Sequence, residues 1–250
     1  MNERREQMLA LINREGTVSF SGLKQAFPNV SEMTLRNDLQ YLDAQHQIVR
    51  VHGGARSVRM VVGTDDLFAR RAARNPEQKK LIAQKALGLL QPQTAVFLDS
   101  GSTAIIMATQ FPDESFLLFT TGINCAMELS RLEQPTTYLL GGKLNRTNLS
   151  VHGQTTVQEI ENLNFNIVFL GTTGFSRENG FNSAVEAEAH LKRAVIKRAE
   201  KVVVLMDSQK VGIVSPFTFA RLKDVDVVVS DGGLDEDTVA MFEANGIQVL

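Results

Sequence analysis

Residues 31–55 read SEMTLRNDLQYLDAQHQIVRVHGGA, and the two halves of that stretch follow different periods. Leu35, Leu39 and Leu42 recur at three- and four-residue spacing, which at 100° per residue gathers them into one narrow sector of a helix. Ser31 is placed to cap that helix. Met33, Asn37, Gln40 and Tyr41 fall on the opposite side, with Thr34 and Arg36 on the flanks. A face that is only solvated more often carries Lys and Glu. Asn and Gln offer paired donor and acceptor atoms that match an adenine edge, and Arg matches guanine or a phosphate. Taken alone, this helix could also be a plain surface face of a small helical domain. The chain then turns to strand: Ile48–His52 runs out, Gly53-Gly54 is a two-residue turn suited to positive φ, and Ala55–Val58 returns. A hairpin in that position is a wing, with Arg50 and Arg56 placed to meet phosphates beside the groove. His52 reads as a neighbour of the turn, since no other His or Cys has metal-site spacing around it.

Working upstream, Arg5–Arg14 has an apolar stripe of Met8, Leu9, Leu11 and Ile12 and reads as a helix stopped at Gly16. Thr17–Ser19 is a short extended link. Ser19 can cap a second short helix that faces inward with Leu23, Ala26 and Phe27, and Pro28-Asn29-Val30 breaks it. A short helix, a break of three residues and another helix is the helix-turn-helix arrangement, whose second helix enters the major groove.

SEMTLRNDLQYLDAQHQIVRVHGGA closely resembles the winged-helix segment of the DeoR family of bacterial repressors. That pattern has a Ser-x-x-Thr-[Ile/Leu]-Arg-Arg-Asp-Leu helix followed by an Arg-x-His-Gly-Gly-Ala wing. It is matched at Ser31, Thr34, Leu35, Arg36, Asp38, Leu39, Leu42, Arg50, His52, Gly53, Gly54 and Ala55. The chain departs at Asn37, where the family usually has a second Arg, and at His46, where Gly is common. Asn37 lies in the middle of the exposed face, so the departure implies an altered operator preference.

Charge by itself would not reveal a DNA binder. The 250-residue chain has a formal net charge of −2, with residues 1–59 carrying +2 and the remainder −4. An apolar content of 43% with 22% charged residues is ordinary for a globular protein with a sizeable core. The single cysteine, Cys125, excludes an intrachain disulfide and reads as a small buried hydrophobe in a reducing compartment. No apolar run approaches the roughly 18 residues of a membrane span. MNERREQML has no secretory core, so a cytoplasmic location is expected.

Residues 60–75 read as a linker between a DNA-binding domain at 1–59 and a larger domain at 76–250. FARRAARNPEQKKLIAQKALGLL reads as helix, with Asn75-Pro76 as a cap or kink. From residue 94 onward apolar β-branched runs (TAVFL, FLLFT, TTYLL, NIVFLG, KVVVLM, DVVVS, IQVL) alternate with amphipathic segments. Continuous apolar runs belong to strands covered on both faces, so a mostly parallel sheet with helices on both sides is expected. Its ligands should sit at the carboxyl ends of the strands. The segments following those ends are Asp99-Ser100-Gly101-Ser102-Thr103, Thr120-Thr121-Gly122, Gly141-Gly142-Lys143, Gly171-Thr172-Thr173-Gly174 and Asp207-Ser208-Gln209-Lys210. One such turn is ordinary capping chemistry. Five on one edge point to a polar, anionic ligand, with Lys210 as a point charge. None is a nucleotide-binding or dinucleotide-binding fingerprint.

The DeoR resemblance covers essentially the whole chain and implies an isomerase-like α/β sensor domain for a phosphorylated sugar. Carried over position by position, it implies that Ser100, Gly101, Ser102 and Thr103 cradle the phosphate. Thr120, Thr121, Gly141, Gly142 and Lys210 would line the rest, and Asp99 would contact sugar hydroxyls. Thr120-Thr121-Gly122 stands where the family usually has Thr-Asn-Ser, and Thr172-Thr173 where Asp or Asn is frequent, so ligand choice is expected to differ.

The reading that follows is a repressor of a carbohydrate operon, binding double-stranded DNA as a homodimer or homotetramer under control of a phosphorylated sugar. No catalytic residue, metal or cofactor is assigned. The alternative is a sugar-phosphate isomerase-like enzyme with an accessory DNA-binding head. It would need a general base from among Asp99, Glu186, Glu188, Asp207 and Lys210. Glu186 and Glu188 read more simply as acidic residues opening a helix.

Overall fold

The computed structural model describes residues 3–44, 47–51, 53–57 and 74–250. They fall into two compact units, divided as Met1–Thr64 and Asp65–Leu250. His46, His52 and all but the last two positions of the 60–75 segment lie outside the described residues.

In the first unit α1 (Glu3–Glu15) ends at Gly16, whose φ of +70° and N–H to the Ile12 carbonyl (2.9 Å) close the helix. β1 (Thr17–Ser19) follows, and then α2 (Phe20–Ala26), which begins where the Ser19 hydroxyl accepts from the Gly22 N–H at 3.0 Å. After the turn, Ser31 Oγ accepts from the Thr34 N–H at 3.2 Å and starts α3 (Glu32–Ala44). The two cap residues therefore perform the roles their positions suggested. β2 (Ile48–Val51) and β3 (Gly54–Ser57) form the wing, and β1 joins them in an antiparallel sheet of order β1-β3-β2. Met8, Ile12, Leu23, Leu35, Leu39, Leu42, Val18, Ile48 and Ala55 make one buried core from all three helices and the sheet.

The wing corrects the expected turn in one detail. Gly54 is already in β3, opposite Val51 on one side and Ser19 on the other, so only Gly53 has the positive φ of a turn residue (+81°). Gly54 is needed for space: a Cβ there would lie 2.2 Å from the Val18 carbonyl oxygen. The link at residues 17–19 is thus a strand, held against β3 by the absence of a side chain.

The second unit has α4 (Pro76–Leu87) and then seven parallel strands interspersed with helices. The strands are β4 (Ala95–Leu98), β5 (Leu117–Thr120), β6 (Thr136–Leu139), β9 (Ile167–Gly171), β12 (Val202–Leu205), β14 (Val227–Val229) and β15 (Gln248–Val249). The helices are α5 (Ser102–Ala108), α6 (Ile123–Leu129), α7 (Gln154–Ile160), α8 (Glu186–Lys197) and α9 (Glu236–Ala244). Alternate residues of each central strand enter different cores. Val96, Leu98, Phe169, Val203 and Leu205 pack with α4, α5 and α6, whereas Phe97, Val168, Leu170, Val202 and Val204 pack with α7, α8 and α9. Both faces are covered, which is why these strands read as unbroken apolar runs.

Two antiparallel pieces were not anticipated: β7 (Lys143–Asn145) with β8 (Ser150–His152), and β10 (Gly174–Ser176), β11 (Gly180–Ser183) and β13 (Phe217–Ala220) in the order β10-β11-β13. All five are three or four residues long; β7, β8, β10 and β11 each carry a Gly, Ser or Asn, and β13 (Phe-Thr-Phe-Ala) is too short for its alternation to mark a strand.

In the first unit an acidic residue is buried on α3. Asp38 is 1% exposed and receives Arg4 Nε at 2.6 Å and Arg5 Nε at 2.7 Å, tying the start of α1 to α3. Burial disfavours the carboxylate, but the hydrogen bonds from Arg4 and Arg5 outweigh it and hold the Asp38 carboxyl below its usual range. Its contribution to stability is therefore complete above the unfolded-state value, about 3.9, and is lost as pH falls through the lower folded-state value. Asp38→Asn should reduce the opening free energy of the α3 amides by about 1–3 kcal/mol at pH 7. Hydrogen exchange repeated toward pH 3 should show the gap between the two proteins narrowing; a gap that is constant with pH would assign the effect to something other than this charge.

Candidate functional site

The strand order β15-β14-β12-β9-β4-β5-β6 places the first strand of the sheet in its interior, next to the central strand β9. The chain builds outward from β4 through β5 to β6, then crosses back and builds the other way from β9. The reversal between β4 and β9 opens a crevice at their carboxyl ends, the place where open α/β sheets bind ligands. Asp99 directly follows β4 there and Gly171 ends β9.

Asp99 is 3% exposed, and its Oδ2 accepts from the Gly171 N–H at 2.9 Å and from Lys192 Nζ at 3.0 Å. Lys192, 5% exposed on α8, also donates to the Gly171 carbonyl at 2.5 Å and lies 4.9 Å from the Phe219 ring centre. A second acid of α8, Glu188, accepts from Asn148 Nδ2 and from the Ser183 hydroxyl (3.0 Å). Together with Ser100, Thr121, Ser150 and His152 these three ionisable groups line a small recess. Its wall beside β5 is β8, held by the Val151 N–H on the Thr121 carbonyl at 2.7 Å.

Of the expected ligand residues, the recess brings together Asp99, Ser100 and Thr121. Gly101 is the N-cap of α5, and Ser102 and Thr103 open that helix, outside the recess lining. Among the described residues, no partner engages the hydroxyls of Ser100, Ser102 or Thr103. Thr120 is committed elsewhere: its hydroxyl accepts from the Gly122 N–H at 3.0 Å inside the protein. Gly141 and Gly142 lie outside the recess lining, and Gly142 is small for a packing reason, whereas a Cβ on Gly141 would meet nothing within 4 Å. Thr156 donates to the Gly141 carbonyl at 2.7 Å, and a Cβ on Gly142 would stand 2.1 Å from the Thr156 hydroxyl. Lys210 sits in a 3-10 turn after β12, a strand separated from β4 by β9, so its turn begins about 10 Å across the sheet. The cation of the recess is Lys192.

Lys192 was legible in principle. Ala189, Lys192 and Val195 share one stripe at three-residue spacing, and all three are buried. A lysine in the apolar stripe of a helix is a sign of a buried partner. Asn148, Ser150 and His152 gave no such signal, because β7 and β8 were not anticipated. Cys125 donates to the Asp99 carbonyl at 3.2 Å, and burial, with Asp99 nearby, pushes its thiol far above the usual range, so it is packing and not a nucleophile.

In the first unit α3 presents Met33 (68% exposed), Arg36, Asn37 and Gln40 outward, opposite its three leucines. The Arg36 guanidinium lies 4.4 Å over the Phe20 ring, which sets its direction. Tyr41 is exposed at one edge, but Arg5 stands 3.9 Å over its ring. Ser31 and Thr34 share a hydroxyl contact of 2.9 Å as part of the cap. Register separates the wing arginines: Arg50 shares a sheet face with the buried Ala55 and Ile48, and Arg56 emerges on the other.

Residues 4–61 match the DeoR-like helix-turn-helix domain, and residues 74–232 match the DeoR C terminal sensor domain. The chain belongs to the DeoR family. It is 32% identical over 249 residues to the HTH-type transcriptional regulator GlpR of Haloferax volcanii, covering 99% of this chain and 96% of that protein. It is 30% identical over 251 residues to a putative aga operon transcriptional repressor of Escherichia coli O157:H7, covering 100% and 93%. A ribose 5-phosphate isomerase A from Methanocaldococcus jannaschii aligns over 55% of each chain at 17% identity, with a TM-score of 0.41. This DeoR-family chain is a DNA-binding transcriptional regulator, and the reading as an isomerase-like enzyme is not favoured. Among the described residues no helix is long and apolar enough to cross a membrane.

The ion pair of the DeoR-type sensor unit makes a sharp stability prediction. Lys192→Met leaves Asp99 buried without its cation and should cost about 3–5 kcal/mol. Adding Asp99→Asn should recover a substantial part of that loss in urea denaturation. A double variant as unstable as the single one would show that Lys192 acts through packing alone.

Proposed function

We propose that this DeoR-family regulator represses a carbohydrate-metabolism operon and is controlled by a phosphorylated sugar bound at the crevice between β4 and β9. In this reading residues 1–59 bind the operator, 60–75 connect, and 76–250 sense the effector. Met33, Arg36, Asn37 and Gln40 read base edges, while Ser31, Thr34 and Tyr41 hold the reading face and touch backbone. Arg50, Arg56 and the wing-turn residue His52 meet flanking phosphates. The protein acts in the cytoplasm as a homodimer or homotetramer, so two α3 helices meet half-sites about 34 Å apart or a multiple of that.

The observation that carries the effector assignment is the recess itself. A buried Asp99–Lys192 pair and the unengaged hydroxyl of Ser100 line it, and the unengaged hydroxyls of Ser102 and Thr103 follow in the first turn of α5. Hydroxyls and backbone N–H groups of Ser100–Thr103 suit a phosphate, and Asp99 suits sugar hydroxyls. Asp99 and Glu188 each accept two hydrogen bonds from the protein, which fixes their orientation toward an occupant. To take the operator from mostly bound to mostly free, the effector must favour the released arrangement by about 5 kcal/mol.

A mobility-shift titration tests both halves. Arg36→Ala should weaken operator binding by about 1–3 kcal/mol, and Asn37→Arg should change which sequence is selected from a randomised pool. Aldose and ketose phosphates added to the wild-type complex should include at least one that releases DNA. Release by none of them would remove the effector model while leaving the DNA-binding reading intact.

A further inference from the structure

His152 is the last residue of β8 and lines the recess. Its Nε2 is buried and has no hydrogen-bond partner among the described residues. A polar atom shut away in that state costs free energy unless a ligand meets it. The other polar side chains of the deep recess are already occupied. Ser150 donates to Asn148 at 2.7 Å, Asn148 and Ser183 donate to Glu188, and Asp99 holds Lys192. That leaves His152 Nε2, with the hydroxyls of Ser100 and Thr121, as the groups able to recognise an occupant without breaking an internal bond.

The charge of the lining identifies which part of an effector enters. Two carboxylates, Asp99 and Glu188, face one ammonium, Lys192. A phosphate gains nothing there; its place is the Ser100–Thr103 edge. A carbohydrate hydroxyl fits, because it donates and accepts and so satisfies Nε2 in either imidazole tautomer. We propose that His152 is the selectivity residue of the sensor: its Nε2 hydrogen-bonds one hydroxyl at the carbohydrate end of the effector and decides which sugar phosphates release the operator. This rests on the effector reading above. β8 is also well placed for the role. Its companion β7 carries Lys143 opposite His152, and Gly142 and Gly153, which lie beyond that pair at the same end of the ladder, adopt φ of +148° and +126°.

The test uses the full chain with two variants, His152→Leu and His152→Gln, in thermal-shift and operator-release assays. The probes are a panel of aldose and ketose phosphates and the monodeoxy analogue of each responder. Without ligand, the operator affinity of both variants should equal that of wild type, and the Tm of His152→Leu should be equal or higher, since an unpartnered buried nitrogen has been removed. With the best wild-type responder, His152→Leu should need on the order of tenfold more ligand for release, and His152→Gln should retain response or shift it to another sugar phosphate. One deoxy analogue should be weaker than its parent on wild type and equal to it on His152→Leu. A wild type that responds while His152→Leu matches it across the panel overturns the role of His152 and leaves the effector reading standing. A wild type that responds to nothing overturns both. A lower Tm for both variants without ligand also overturns it, by making the imidazole a structural group.

Discussion

The contact between Asp99 and Lys192 joins the two halves of the sensor sheet. Asp99 directly follows the first strand laid down, Gly171 ends the first strand after the reversal, and Lys192 comes from the helix that precedes the next strand. One carboxylate oxygen and one ammonium therefore link β4, β9 and α8 at the point where the topology leaves a gap. Removing two charges from water is expensive, and an apolar pair would often be as stable. What the ion pair provides is direction. A leucine pair would tolerate several packings, whereas Asp99 Oδ2 satisfies an amide and an ammonium only in one arrangement of the two strand ends.

The first unit uses the same device at smaller scale. Asp38 on α3 draws in Arg4 and Arg5 from the start of α1, and Arg5 continues onto the Tyr41 ring. Anchoring α3 from behind leaves Met33, Asn37 and Gln40 on its outer face free of internal bonds among the described residues. Arg36 is directed by Phe20 instead of by an acid, so its guanidinium keeps its hydrogen-bonding capacity for an outside partner. In both units a buried acid organises the scaffold, and the groups left uncommitted lie beside it: Met33, Asn37 and Gln40 on the helix, and Ser100, Thr121 and His152 at the recess.

The parts of the site that were legible are those where local chemistry and tertiary role coincide. Ser19 and Ser31 cap because a hydroxyl before an amphipathic run has little else to do. Asp99 and Ser100 were readable because a polar turn after an apolar strand in an α/β chain has few other places to go. Lys210 and the Gly141-Gly142 pair carry the same local signal, yet they sit at other positions along the sheet edge. Which turns converge depends on strand order, and TAVFL, NIVFLG and KVVVLM carry no record of which will be neighbours. His152 and Asn148 were invisible because β7 and β8 are too short to show a period.

Sequence alone determined the helix-turn-helix head, the parallel sheet covered on both faces, and the polar edge at its carboxyl ends. These follow from periodicity, capping residues and apolar runs, which act over a few residues and leave their marks in order along the chain. Tertiary structure alone decided that Lys192 and not Lys210 meets Asp99, that Asp38 is buried, and that His152 is left with an unpaired nitrogen in the recess. Those outcomes depend on contacts between segments from 33 to 93 residues apart or on a wall built by two short strands. Burial and Coulomb energies act through space, so only the folded arrangement of the strands selects among residues that look equally suitable in the chain.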